Sequence, residues 1–177
     1  MQKQRSEAKR ELLQTIETLF WEYAFSDLTM DRIAEKLGMK KPSLYYHFSS
    51  KEAMFLEVLE YSFESYQSFL ENTLQIVDIS DMIEKLILFP LQTKNLFAIV
   101  SQKGYCQVEE IRHTIEAKYF KLEAKKVQIC QERFDWNAAR TKLFFALVEG
   151  LSKRACLENC EEEKKEEMIA EIVKLFF

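Results

Sequence analysis

Turn-forming residues are scarce: the 177-residue chain has three glycines and two prolines. That leaves little chemistry for hairpins, while Leu, Glu, Lys, Phe and Ala are abundant, and the composition points to an all-α fold. No stretch approaches the roughly 18 uncharged apolar residues that a membrane-spanning helix needs. The opening MQKQRSEAKR has no apolar segment behind its charges, so no secretory signal and no membrane partner are expected, and the protein is placed in the cytoplasm. A phosphate-binding glycine loop, a metal-ligand cluster and a nucleophile motif with a nearby base are all missing, which speaks against an enzyme and against any cofactor. The four cysteines, Cys106, Cys130, Cys156 and Cys160, make no metal pattern. Cys156 and Cys160 sit one helical turn apart, yet His47 and His113 are the only histidines and neither is near them in sequence, so free thiols in a reducing compartment are expected.

Charge is unevenly placed. The net charge is -4, but residues 1–52 carry nine Lys/Arg against eight Asp/Glu, while the remainder carries 16 against 21. Lys3, Arg5, Lys9 and Arg10 precede or begin the first helix, and Lys40, Lys41 and Lys51 bracket a later short one. An acidic body repels polyanions and would confine their contact to the N-terminal head.

The densest information lies between Thr29 and Glu52, TMDRIAEKLGMKKPSLYYHFSSKE. Leu28 and Ile33 can form a hydrophobic staple about Thr29 as N-cap, with Asp31 in the first turn, so a helix starts at about Met30. Met30, Ile33, Ala34 and Leu37 follow helical spacing, and Gly38 supplies the left-handed residue that ends the helix. A second helix opens at once. Pro42 is tolerated in a first turn, and Leu44 with Phe48 can pin one face to the preceding helix. Lys40, Lys41, Ser43, Tyr45, Tyr46 and His47 are then left outward or near the helix start, which is the arrangement of a helix-turn-helix whose second helix enters the major groove.

Over Ile16 to Glu57 the chain resembles the DNA-binding domain of the TetR family of bacterial transcriptional repressors. The resemblance rests on Leu19-Phe20 closing helix 1, on Thr29-Met30-Asp31-Arg32-Ile33-Ala34 and Leu37-Gly38-Met39, then on Ser43-Leu44-Tyr45-Tyr46-His47-Phe48 and Ser50-Lys51-Glu52. One departure is Ala24, where the family commonly has glycine. The resemblance implies DNA contacts at Thr29, Lys40, Lys41, Pro42, Ser43, Tyr45, Tyr46, His47 and Lys51. Lys41 and Ser43 suit base reading and Tyr46 a thymine methyl, whereas Thr29, Tyr45, His47 and Lys51 suit phosphates.

The remaining pattern is helical. Helix 1 is expected from about Ser6 to Tyr23. After Phe48, Ser49 with Glu52 makes a capping box, Ser50 being the alternative cap, and a long amphipathic helix runs to about Gln75, its first amides and Lys51 forming a phosphate clamp. Further helices are expected at about 81–93, 96–103, 108–133, 137–157 and 161–176, with Pro90 kinking or ending one, Gly104 ending another and Asp135 capping the next to last. The expected organisation is a three-helix DNA-binding domain at 1–50, joined by the long helix to a helical ligand-binding and dimerisation domain at 51–177.

In the resembling family the last two helices of each subunit form a four-helix dimer interface. A two-fold dimer would set two heads on a palindromic operator in double-stranded DNA, and Ala146 and Gly150 would permit close helix approach. The family also implies an inducer pocket in the body. Candidates are Phe89, Phe97, Tyr105, Tyr119, Phe120, Phe144 and Phe145, with Cys106, Gln107 or His113 as polar handles, although aromatics at helical spacing are usually core. The expected function is that of a homodimeric repressor released by a small apolar or aromatic ligand, nucleoid-associated when bound. The alternative is a dimeric DNA-binding adaptor controlled by a protein partner.

Overall fold

The computed structural model describes residues 2–92, 108–158 and 162–177, and among them every regular element is helical. In order these are α1 (Gln2–Glu22), a 3-10 turn (Phe25–Asp27), α2 (Met30–Lys36), α3 (Lys41–His47), α4 (Lys51–Thr73), α5 (Ile79–Gln92), α6 (Glu109–Phe134), α7 (Ala138–Glu158) and α8 (Glu162–Phe176). The elements divide into two compact units. One comprises Met1–Tyr66 with Lys94–Tyr119, the other Gln67–Thr93 with Phe120–Phe177. Helices α4 and α6 each contribute residues to both.

The local signals between Thr29 and Gly38 act as the sequence predicts. Thr29 is extended (φ -105°, ψ 160°) and its Oγ1 accepts the Arg32 amide at 3.2 Å, so the cap satisfies a donor that the first turn cannot. Leu28 and Ile33 are both fully buried beside it. At the other end Gly38 has φ 64°, where a side chain would be strained. Its amide returns to Glu35 O at 3.0 Å and that of Met39 to Ala34 O at 2.9 Å, the paired bonds of a Schellman stop. Lys40 caps α3, with Pro42 in the first turn where its missing amide costs nothing.

The first unit is organised by aromatic packing. Phe20 on α1, Phe25 in the 3-10 turn and Phe55 on α4 meet with centroid separations of 4.8 to 6.1 Å, Phe55 standing edge-on to the other two. Leu13, Ile16, Leu44, Phe48, Met54, Val58 and Leu59 complete this core. Ala24, at the position of the family's glycine, has φ -60° and ψ 147°, a conformation open to any residue. The corner after α1 therefore needs no glycine. Lys118 on α6 pairs with Glu60 on α4 and lies 4.6 Å from the Phe63 ring centre.

In the second unit, α5 packs against α7 and α8. Trp136 and Phe144 meet Phe176 and Phe177 at 5.0 to 6.2 Å, and Phe144 is fully buried. Lys126 is only 2% exposed, a costly place for an ammonium. Glu123 at 2.9 Å and Glu149 at 3.1 Å compensate its charge, and its Nζ sits 4.4 Å from the Phe145 ring centre. Ser152 Oγ donates to Ile87 O at 2.8 Å, tying α7 to α5. Arg133 donates to Leu74 O and Ile76 O, securing the turn after α4.

Three local expectations are resolved or corrected. Ser50, rather than Ser49, caps α4, its Oγ accepting the Ala53 amide at 3.1 Å. Asp135 does not cap α7. It has φ 56°, a left-handed residue just past the end of α6, and the cap is Asn137, whose Oδ1 accepts the Arg140 amide at 2.9 Å. Pro90 lies within α5 as described to Gln92, while the helix expected at 96–103 and its Gly104 stop lie outside the described residues. Cys130 is a buried free thiol whose pKa desolvation pushes up to about 11, partly opposed by a hydrogen bond with Thr141. The side chains of the other three cysteines also lie outside the described residues.

The cap assignment predicts that Asn137→Ala will cost about 1 kcal/mol, read as a lower Tm at fixed protein concentration. Asp135→Gly, relieving a left-handed aspartate, will not lower it; the opposite order would restore Asp135 as the cap. Peptide-mapped alkylation at pH 8 will leave Cys130 unmodified until denaturant is added, because the native thiolate fraction is small.

Candidate nucleic-acid interface

The sequence-predicted contact residues lie on one short stretch of exposed surface. Every residue from Lys40 to His47 is exposed except Leu44, which with Phe48 turns inward. Two buried positions four apart anchor one side of α3 and leave the other to solvent. Tyr46 is the extreme case: a large aromatic at 73% exposure, its ring edge-on to His47 at 5.3 Å. Thr29 is also exposed, with its hydroxyl engaged as the α2 cap.

The basic residues are held in different ways. Lys51 Nζ donates to Phe25 O at 2.8 Å and lies 4.0 Å from the Phe25 ring centre, so it braces the corner after α1 while keeping further ammonium protons. Lys41 Nζ bridges both oxygens of Asp31, 2.7 Å from Oδ1 and 3.0 Å from Oδ2. That hydrogen bond, reinforced by the carboxylate charge, holds the Lys41 pKa above its ordinary value. Lys9 pairs with Glu57 at 2.5 Å, and Lys36 donates to the Tyr23 hydroxyl at 2.8 Å. Arg32 donates to Asp27 O at 2.9 Å and lies over the Tyr23 ring. The pairing of Lys41 with Asp31 joins the first turn of α2 to the first turn of α3, so no local sequence pattern announces it.

The expected ligand residues are scattered among different environments. Phe144 and Phe145 are buried and pack on each other at 5.3 Å, as core residues do. Phe89 stacks on Phe69 with centroids 3.7 Å apart. Phe120 is 72% exposed, and His113 and Tyr119 belong to the other compact unit. His113 lies in the open between Glu109 and Glu116, 3.6 and 3.7 Å away. Phe97, Tyr105, Cys106 and Gln107 fall outside the described residues. Among the described residues an open groove of about 580 Å³ lies on the second unit, lined by Ala139, Leu143, Leu147 and Leu175 with Asn137 and Arg140 at its polar edge. Sequence reasoning placed α7 and α8 together but did not single out this groove.

Among the described residues no helix is long and apolar enough to cross a membrane, and no group of acidic, histidine and cysteine side chains is arranged to hold a metal ion. Comparison with known proteins bears directly on the exposed helix. Residues 12–58, which include all of α2 and α3, match the family described as bacterial regulatory proteins, tetR family. Over 144 residues the chain is 25% identical to the biofilm operon icaADBC HTH-type negative transcriptional regulator IcaR of Staphylococcus aureus (strain Newman), covering 71% of this chain and 75% of that one. A transcriptional regulator from Aquifex aeolicus VF5 superposes with a TM-score of 0.72 at 19% identity, covering 96% of this chain and 98% of the other. The TetR family regulator CifR, in a complex with 26-base-pair operator DNA, gives 0.69 at 17% identity, covering 95% and 96%. These relatives are regulators, not enzymes. With a helix-turn-helix whose second helix is bare on one side, residues 12–58 are similar to the bacterial regulatory proteins of the tetR family.

Proposed function

We propose that the protein is a homodimeric repressor that binds a palindromic operator through two copies of α3 and is released by a small apolar or aromatic ligand. The observation that carries the DNA-reading part is the bare side of α3, where Lys41, Pro42, Ser43, Tyr45, Tyr46 and His47 are exposed together while Leu44 and Phe48 hold the helix from behind. Lys41 and Ser43 offer donors to base edges, and Tyr46 offers an aromatic face to a thymine methyl. Thr29, Lys40, Tyr45, His47 and Lys51 serve the phosphates, which fix register and orientation. The negative action follows the S. aureus relative, whose name describes a negative transcriptional regulator. Residues 1–50 form the DNA-binding part and 51–177 the ligand-binding and dimerisation part, and the protein works in the cytoplasm, on the nucleoid when bound.

Dimerisation is supported by an apolar stripe along α7. Ala139, Leu143, Ala146 and Gly150 recur at helical spacing and are all exposed, Leu143 to 64%, and Leu175 on α8 is 66% exposed. Exposed leucines bordering a stripe of small residues are costly to leave in water. A side chain added at Gly150 would meet nothing within 4 Å, so this small residue is not required by packing within the subunit and suits a close-approaching helix of a second copy. Arg140, whose Nη2 donates to Phe176 O at 2.6 Å, gives the stripe a polar border.

A ligand bound in the body would act by favouring a separation of the two heads that no longer matches the operator. An adaptor controlled by a protein partner would keep its operator affinity in the presence of any small molecule, which separates the two readings.

Two substitutions test the reading. Tyr46→Ala, a change at an exposed residue, will leave the circular dichroism and the dimer intact and weaken binding to a selected operator at least tenfold by fluorescence anisotropy, on the scale of about 1–3 kcal/mol per base contact. Undiminished affinity would remove Tyr46 from the interface. In sedimentation equilibrium the wild type will run at twice the 21.1 kDa chain mass, and Leu143→Glu will run as a folded monomer at the same concentration. An unchanged dimer would move the interface off α7.

A further inference from the structure

The lysine at the head of α3 is not presented to solvent alone. Lys41 reaches back across the turn to α2, where Asp31 takes its ammonium between two carboxylate oxygens at 2.7 and 3.0 Å. Both side chains are exposed, so water and salt reach the pair and it adds little to folding stability. Neither residue is needed to close its helix. Thr29 supplies the hydrogen bond that caps α2, and Lys40 is the α3 cap. What the pair alters is the charge that the α2–α3 face shows to a duplex.

A lysine free in solvent is attracted to any phosphate, and each phosphate it neutralises releases counter-ions whatever the base sequence. A lysine already paired with a carboxylate has little net charge to offer a phosphate. It still has an ammonium proton left over, because three donors face two acceptors. That proton is held in one direction, and a base-edge acceptor in the major groove is a partner that needs direction rather than charge. Asp31 itself would be repelled by phosphates brought against it without Lys41 between them.

We propose that Asp31 is a specificity-setting positioning residue, an internal counter-ion that aims the Lys41 ammonium at base edges and withholds it from phosphates. The inference rests on the reading of α3 as the DNA-contacting helix. Through Lys41, Asp31 lowers binding to arbitrary duplex more than binding to the operator.

The test compares wild type, Asp31→Asn, Asp31→Glu, Lys41→Gln and the double variant Asp31→Asn/Lys41→Gln by fluorescence anisotropy across a salt series. The probes are a selected operator and a scrambled duplex of equal length. Asp31→Asn is expected to bind the scrambled duplex several-fold tighter at low salt, with its log-log salt slope steeper by about 0.9, one extra phosphate. Its operator affinity will change less, so the operator-to-scrambled ratio falls, and Asp31→Glu will restore the wild-type slope. In the Lys41→Gln background the Asp31→Asn change will leave the slope where it is. A wild-type slope and ratio in Asp31→Asn would overturn the proposal, and so would an equal shift in the Lys41→Gln background, which would make Asp31 a simple repulsive charge. Should the wild type prefer no selected duplex, the DNA-reading proposal fails, while the scrambled-duplex slopes still decide whether Asp31 restrains Lys41.

Discussion

The structure depends on the pinning of a helix that could not stand by itself. Seven residues make α3 about two turns, far below the length at which an isolated helix persists in water. It exists because Leu44 and Phe48 are driven into the core of the first unit, and because α2 ends in a Schellman turn at Gly38 that sets where α3 begins. Those constraints decide the function as well as the fold. With Leu44 committed inward and Phe48 anchoring the residue just past the helix, the remaining six residues of α3 have nowhere to go but outward, and they are lysine, proline, serine, two tyrosines and histidine rather than aliphatics.

Support for that short helix comes from farther away. The Phe20, Phe25 and Phe55 cluster joins α1, the corner after it and α4, and Lys51 crosses from the start of α4 to the Phe25 carbonyl. A lysine so placed can brace the scaffold and still face a phosphate, since the carbonyl takes one proton of three. The second unit solves a different problem. It buries the Lys126 ammonium with two glutamates and an aromatic ring around it, and it leaves Leu143 and Leu175 exposed. A fold that compensates a buried ammonium so fully while leaving leucines in water has the profile of a surface that awaits a partner.

Much of this was legible before any coordinates, for reasons that differ by position. Thr29, Gly38 and Pro42 act within three or four residues of themselves, so cap, stop and first-turn proline could be read from spacing alone. The all-α fold followed from a shortage of turn chemistry. Asp135 was misread because aspartate serves both as an N-cap and as a tolerated left-handed residue, and only the backbone tells the two apart. The pairing of Lys41 with Asp31 and that of Lys51 with Phe25 O were illegible because they join residues 10 and 26 apart in the chain. The packing of the described aromatic candidates is hard to read from sequence for a related reason: helical spacing marks a buried face but does not say whether that face meets a cavity or another ring. For Phe144 it meets Trp136 and Phe176.

The central claim is that two copies of α3, carried by one two-fold dimer, read one duplex. Selection of sequences from a random duplex pool with the purified protein tests it most directly. The account predicts enrichment of an inverted repeat whose half-sites lie about 34 Å or a multiple of that apart. Enrichment of a single unrepeated half-site, or of nothing, would contradict it.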